Sequence, residues 1–74
     1  MKNEIKFTKE SVQEAQYIKD IRYINNRIEE KISSMEDHCY ITIHTARAVE
    51  ALKEKGFIVK KETAYPNQYR VSWE

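Results

Sequence analysis

The sequence predicts an α+β fold, in which a long N-terminal amphipathic helix precedes a β-α-β-β unit within one domain, residues 1–74. Two observations lead to this prediction. Apolar residues recur at helical spacing from Tyr17 to Met35, and further along the chain they alternate with polar residues, as half-buried strands do. We therefore expect the long helix at 8–35 and the β-α-β-β unit at 39–74.

The long helix has two possible starting points. Thr8 can cap the first turn, with Phe7 before it packing on Val12 as a hydrophobic staple. Alternatively, the run from Ser11 to Glu14 resembles a capping box. We favour Thr8, because the residues before it alternate between apolar and charged, like a short extended lead-in.

One face of this helix is an isoleucine ridge that falls within an arc of roughly 120° at 100° per residue. A helix of about 25 residues is roughly 37 Å long, which is more than a small sheet covers. A chain of 74 residues also has a small core, so a second copy is the simplest cover for the ridge. The predicted homodimer interface consists of Ile18, Ile21, Ile24, Ile28 and Ile32.

The C-terminal end of the helix is acidic, although the helix dipole favours cations there. This small mismatch either has no function or marks a patch complementary to a basic partner. Val12 and Tyr23 lie opposite the ridge, as two tolerated surface residues or as a second partner contact. The predicted partner-binding set is Glu29, Glu30, Glu36, Asp37 and Tyr23.

Three strands are predicted, at 39–44, 57–63 and 68–73. A right-handed crossover should pair the first two in parallel, and a hairpin should add the third as an antiparallel neighbour between them. The sheet should therefore be mixed, with both helices on one face and Cys39, Ile41 and Ile43 pointing inward. The expected residues of the open face are Tyr40, Thr42, His44, Ile58, Lys60, Arg70 and Ser72.

A short helix and a turn join these strands. Thr45 should cap the helix, and Gly56 suits the left-handed position after its end, where Phe57 can pack on Leu52. The buried stripe of this helix should be Ala48, Val49 and Leu52. The run from Tyr65 to Gln68, with proline second, suits a type I turn.

Catalytic, cofactor and metal sites are not expected. Adjacent residues of a strand point to opposite faces, so His38 and Cys39 diverge, and His38 should lie about 20 Å from His44. The same divergence excludes a Cys39–histidine nucleophile pair. A single glycine excludes a glycine-rich phosphate loop. We therefore expect a protein that is not an enzyme.

Charge and composition restrict the partners. Thirteen basic against twelve acidic residues give a net charge of +1, which disfavours nucleic acid and membrane surfaces as ligands. One cysteine excludes an intrachain disulfide and fits a reducing compartment. The N-terminus lacks a signal-peptide core, and no apolar run reaches the length of a membrane span. We expect a cytoplasmic protein.

Several motifs resemble those of small phage early proteins: the long first helix, Tyr40 to Ile43, Val49…Leu52…Lys55-Gly56-Phe57-x-Val59, and Tyr69-x-Val71-x-Trp73. In length and composition the chain is also similar to the staphylococcal-phage type of sliding-clamp inhibitor. The resemblance implies a host-takeover protein that binds and inhibits a bacterial factor in the host cytoplasm, with the DNA polymerase sliding clamp as a candidate partner and mimicry of DNA as a candidate mechanism.

Two other functions stay open. A small dimeric nucleic-acid binder would use Lys60, Lys61 and Arg70 on the open sheet face. A structural or accessory phage subunit would need no binding site of its own.

Overall fold

A computed structural model describes residues 4–73, and it confirms the predicted α+β class. The predicted domain also includes residues 1–3 and 74, which lie outside the described residues. In chain order the elements are α1 (Lys9–Ser33), β1 (His38–Thr42), α2 (Ala46–Glu54), β2 (Ile58–Lys61) and β3 (Gln68–Ser72). The long helix is therefore two residues shorter at its C-terminal end than predicted, and the strands are shorter too.

The sheet is antiparallel rather than mixed. Its strand order is β1-β3-β2, and β3 pairs with both neighbours in antiparallel fashion, Tyr40 and Lys60 both lying opposite Arg70. The third strand lies between the other two, as predicted. The predicted parallel pairing is wrong, because the inserted strand keeps β1 and β2 from bonding to each other.

The start of α1 confirms Thr8 as the N-cap and gives Ser11 a part in the same cap. The Thr8 hydroxyl accepts a hydrogen bond from the Ser11 N–H at 3.0 Å, and the Ser11 hydroxyl accepts one from the Thr8 N–H at 2.9 Å. Two backbone donors that the first turn would leave unpaired are thus satisfied. Thr8 itself has extended backbone angles, as an N-cap residue usually has.

The backbone just after Ser33 shows why α1 stops there. Met35 adopts a left-handed φ of 61°, and its N–H donates to the Ile32 carbonyl at 3.1 Å. The Glu36 N–H donates to the Lys31 carbonyl at 3.0 Å. These two bonds form a Schellman motif without glycine. Met35 therefore lies outside α1, although the prediction placed it inside the helix.

The same motif ends α2, here as predicted. Gly56 has a φ of 95°, and the Phe57 N–H donates to the Leu52 carbonyl at 3.2 Å. Thr45 caps the start of α2 by accepting from the Ala48 N–H. The turn between β2 and β3 differs from prediction: Asn67, its third residue, has a φ of 62°, whereas a type I turn requires a negative value there.

The core lies between the sheet and both helices. Its fully packed members include every residue predicted to point inward from the first strand and from α2: Ile24, Cys39, Ile41, Ile43, Ala48, Val49, Leu52 and Val71. Ser72 departs from the prediction, because it is fully buried although it belongs to the open face. It lies on the central strand, where His38 and Ile58 flank it on both sides.

The part of α1 that extends beyond the core is its N-terminal third. Residues 4–16 are all exposed, whereas burial begins at Tyr17, where the isoleucine ridge starts. The molecule is 53 Å long with a radius of gyration of 14.9 Å, against about 11 Å for a compact chain of this length. The part of α1 that overhangs the sheet therefore lies before the isoleucine ridge, whereas the prediction placed part of the ridge in the overhang.

Candidate interaction surfaces

A buried carboxylate joins α1 to the loop between β1 and α2. Asp20 is 5% exposed, and its Oδ2 accepts hydrogen bonds from the His44 N–H at 3.0 Å and from the N–H and hydroxyl of Thr45, both at 2.8 Å. It lies at the N-terminus of α2, where the helix dipole favours a negative charge. Asp20 thus fixes how the long helix lies against the sheet. The sequence analysis missed it.

Side chains of α1 also occupy the free edge of β1. The bond from the Ile43 N–H to the Asn67 carbonyl shows that odd-numbered residues of this strand bond towards β3. The backbone of even-numbered residues therefore faces outward. Arg27 donates a hydrogen bond to the outward-facing Tyr40 carbonyl at 3.4 Å. The outward-facing His44 N–H donates to the carboxylate of Asp20 on α1. A helix that covers an edge in this way hinders pairing with another strand.

An apolar groove runs between α1 and α2, and we call it the helix groove. Its apolar lining is Tyr17, Ile21, Ile24, Ile28, Ala51, Leu52 and Phe57, with polar Asn25 and Lys55 also lining it. At one end the guanidinium of Arg47 stacks 3.9 Å from the centre of the Tyr17 ring and pairs with Glu14. The remainder of the groove is open to a partner.

The predicted dimer interface is divided by the fold. Ile24 is 3% exposed and belongs to the core of its own chain, so it has no surface to offer a second copy. Ile21 and Ile28 are partly buried and line the helix groove. Ile18 and Ile32 are exposed. The accessible part of the ridge is therefore narrower than the sequence predicted.

A second apolar surface lies on another side of α1, and we call it the Tyr23 face. It consists of Phe7, Val12, Ala15, Gln16, Lys19 and Tyr23. Two clefts form it and share Gln16 and Lys19, so they are continuous. Thr42 and His44 line the cleft next to Tyr23. Val12 and Tyr23 are both exposed on this side of α1, as predicted, whereas the part that Phe7, Thr42 and His44 play in this surface was not predicted.

The predicted acidic residues are all exposed at the C-terminal end of α1 and just beyond it: Glu29, Glu30, Glu36 and Asp37. Glu30 forms an ion pair with Arg27 at 2.9 Å, and Asp37 contacts His38 at 2.9 Å. The structure thus brings these carboxylates to one end of the molecule and pairs several of them within the chain, which reduces the negative charge offered to a partner.

Glu36 is held by two side chains at the end of α1. It accepts hydrogen bonds from the Ser34 hydroxyl at 2.9 Å and from the Lys31 ammonium at 3.3 Å. These bonds, together with the charge of Lys31, hold the pKa of the Glu36 carboxyl below its ordinary value. Tyr23 lies elsewhere, on its own face, so the predicted partner-binding set is split between two surfaces.

The open sheet face carries a row of one aromatic and two basic residues. Tyr40, Arg70 and Lys60 lie directly opposite one another on the three strands. Lys61 was predicted to join them, but it projects to the other face, with its ammonium 5.1 Å from the centre of the Tyr69 ring. This row is the basic surface that a nucleic acid would meet.

The groups considered for chemistry remain apart. Cys39 is buried, and this burial raises the pKa of its thiol. Across residues 4–73, no three side chains of His, Cys, Asp or Glu come together as metal ligands would. Within the same residues, no helix has the length and apolar character needed to cross a bilayer.

Comparison with known proteins finds no match to this chain among family models, curated proteins or solved structures.

Proposed function

We propose that this chain is a non-enzymatic protein-binding module that inhibits a bacterial host factor from within the host cytoplasm. The resemblance to phage early proteins supports this role and makes the sliding clamp the first partner to test. The supporting structural observation is an excess of accessible surface that includes an apolar groove.

The accessible surface is 5979 Å², whereas a compact monomer of this mass exposes about 4,800 Å². The excess of about 1,200 Å² is more than the roughly 800 Å² that each partner buries in a standard protein–protein interface. This surface includes exposed apolar side chains on the long helix and just before it, among them Ile32 and Phe7. Such surface is typical of a protein that works in a complex.

The helix groove suits an amphipathic helix from the partner protein. Along α1 the groove extends from Tyr17 to Ile28, which is about 16 Å or three helical turns. Apolar residues line it and Asn25 and Lys55 supply polar contacts, as in helix-in-groove complexes. Ile32 continues the apolar surface one turn further.

Binding of the full chain to purified sliding clamp by calorimetry tests this proposal. Ile32→Glu should weaken binding at least tenfold, because it places a charge beside the groove. Ser33→Glu is the matched control, since it adds the same charge at an adjacent exposed position. Equal affinities for the two variants would remove the groove from the proposal, and absence of clamp binding would remove the clamp.

The acidic end is a second contact for a partner that normally binds DNA. Reversal of Glu29 and Glu30 to lysine should slow association with the clamp and reduce its dependence on salt. Reversal of Lys60 and Lys61 to glutamate should have a smaller effect. Association rates at two salt concentrations measure both variants, and equal tolerance would exclude an electrostatic contribution from either end.

Nucleic-acid binding is the second candidate, because Tyr40, Arg70 and Lys60 form one row on the open face. The His38 ring meets that of Tyr40 edge-on, with centroids 5.7 Å apart, which holds an aromatic ring beside two cations. Single strands bind such surfaces by stacking and phosphate contacts. If this function is correct, Tyr40→Ala and Lys60→Glu should each weaken binding of a single-stranded oligonucleotide, with a steep loss of affinity as salt rises.

A further inference from the structure

The two edges of the sheet differ in how they are protected. At β1, Arg27 and Asp20 on α1 bond to the backbone at the outer side of the strand. At β2, by contrast, only β3 and α2 among the described helices and strands make contact. Because β3 pairs with one side of β2 and α2 packs on one face of the sheet, the outer side of β2 is open.

The register identifies the backbone groups on this open side. The Glu62 N–H donates to the Gln68 carbonyl at 2.9 Å, so even-numbered residues of β2 bond towards β3. The N–H and C=O groups of Val59 and Lys61 therefore point outward. Across residues 4–73, no hydrogen bond reaches these outward groups. An edge with unpaired donors and acceptors can accept one more strand.

The side chains of this edge restrict which strand can bind there. Lys60 projects to the open face opposite Arg70, and Lys61 projects to the helix face. In an added strand, the residue opposite Lys60 would form a non-hydrogen-bonded pair, in which side chains come closest. A carboxylate at that position would contact the Lys60 ammonium. Ile58 is 44% exposed on the same face, and an apolar residue opposite it would cover it.

A second copy of β2 does not meet these requirements. The antiparallel register that uses all the outward groups pairs Val59 of one copy with Lys61 of the other. It places Lys60 directly opposite Lys60 of the second copy, and like charges at such positions are destabilising. A shift by two residues in one direction sets Lys61 opposite Lys61. In the other direction it uses Phe57, whose N–H already donates to the Leu52 carbonyl at 3.2 Å.

We propose that β2 binds an extended acidic segment of another protein as a fourth, antiparallel strand. Read from its N-terminus, this segment carries two acidic residues, opposite Lys61 and Lys60, and then two apolar residues, opposite Val59 and Ile58. The sheet is already antiparallel throughout, and antiparallel pairs are the more stable kind. None of these four residues lines the helix groove, so strand addition here is independent of the proposed inhibitor function.

Titration of the isotope-labelled full chain with the peptide acetyl-Thr-Glu-Glu-Val-Ile-Thr-amide, followed by amide NMR, tests the added strand. A few backbone bonds and two ion pairs should give a Kd of about 0.1–1 mM. The amides of Val59 and Lys61 should shift downfield, whereas that of Tyr40 on the other edge strand should not. The same peptide with lysine in place of both glutamates should bind about tenfold more weakly. Equal binding of the two peptides, or absence of shifts at Val59 and Lys61, would overturn the proposal.

Methylation of the peptide backbone separates strand addition from simple charge attraction. N-methylation of the peptide's valine, opposite Val59, removes an N–H that faces β2 and should abolish binding up to about 5 mM. N-methylation of the second glutamate, opposite Lys60, removes an N–H that faces solvent, so this matched control should still bind. Equal affinities for the two methylated peptides would exclude a strand in this register.

A matched pair of variants tests the same bond from the side of the protein. Lys61→Pro removes an outward N–H and no bond to β3, so it should retain the circular dichroism of the parent chain. Lys61→Gln removes the charge alone and should bind the acidic peptide more tightly than Lys61→Pro. Without peptide, dilution from about 500 to 20 µM should leave the Val59 and Lys61 amide signals unchanged, because self-pairing sets like charges opposite each other. Equal affinities for the two variants, or signals that shift on dilution and so indicate a second copy at the edge, would contradict the proposal.

Discussion

The carboxylate of Asp20 and the hydroxyl of Thr45 lie 2.8 Å apart, which links two helices that are distant in sequence. Thr45 donates this hydrogen bond and accepts another from the Ala48 N–H at 3.3 Å. The N-cap of α2 is therefore itself held by a residue of α1. Because Asp20 also accepts from the His44 N–H just after β1, this one side chain ties α1 to both the sheet and α2.

Replacement of Asp20 by alanine should lower the free energy of unfolding by about 2–4 kcal/mol, because three donors with charge-assisted bonds would lose their acceptor. Asp20→Asn should cost less, since an amide oxygen still accepts but the charge at the start of α2 is lost. Urea unfolding followed by circular dichroism measures both. Glu29→Ala is the control, at an exposed carboxylate of the same helix, and should change stability by less than about 0.5 kcal/mol. An equally small effect of Asp20→Ala would show that solvent replaces the bonds.

Features encoded by neighbouring residues were predictable from the sequence. Thr8, Thr45 and Gly56 were placed correctly at the helix ends. Each of them acts within a few residues of its own position, so the local pattern contains the whole signal. The inward side of β1 was equally predictable, because alternation alone specifies it.

Features that depend on distant parts of the chain were not predictable. The apolar periodicity of α1 does not mark Asp20 as a buried residue. Its hydrogen-bond partners lie at positions 44 and 45, far along the chain. The burial of Ser72 depends on flanking strands that only the sheet order brings together. The candidate Tyr23 face combines the overhang of α1 with the end of β1 for the same reason. Sequence periodicity shows which residues are apolar, and packing decides which of them remain exposed.

Gly56→Ala should destabilise the protein by about 1–2 kcal/mol through the backbone alone. Its φ of 95° is strained for any residue with a Cβ, yet an added Cβ meets no atom within 4 Å. The loss should therefore appear in the urea midpoint without a change in the fold. Lys55→Ala, one residue earlier at the cap of α2, serves as the control. A neutral Gly56→Ala variant would mean that the loop relaxes away from this φ.

Met35→Gly should have the opposite effect. Met35 has a φ of 61° at the corresponding position after α1 and is 91% exposed, so glycine removes strain with little loss of packing. We expect a gain of about 0.5–1 kcal/mol, reduced by the greater freedom of glycine in the unfolded chain. Met35→Ala separates the backbone effect from side-chain loss and should be nearly neutral. No gain from glycine would show that the strain is already relieved.

Ser34→Ala should raise the pKa of the Glu36 carboxyl towards its ordinary value. The Ser34 hydroxyl is the largest cause of the depression and Lys31 the next, so Lys31→Ala should act in the same direction. Titration of the Glu36 side chain by carbon-detected NMR measures the change, with the exposed Glu29 as an internal reference. An unchanged pKa in both variants would place Glu36 outside this network in solution.

The buried thiol of Cys39 should react only when the chain unfolds. Burial raises its pKa, and Arg27 and Lys31 offset this only in part, so at pH 8 the native thiol should be far less ionised and far less accessible than in urea. Because the folded state favours the neutral thiol, this contribution to stability is complete below the thiol's ordinary pKa and declines as the pH rises above it. Reaction with Ellman's reagent across a urea series should follow the unfolding curve, and the stability of Cys39→Ala should fall less steeply above pH 8. Rapid reaction of the native protein would show that the sheet and α1 separate locally without global unfolding.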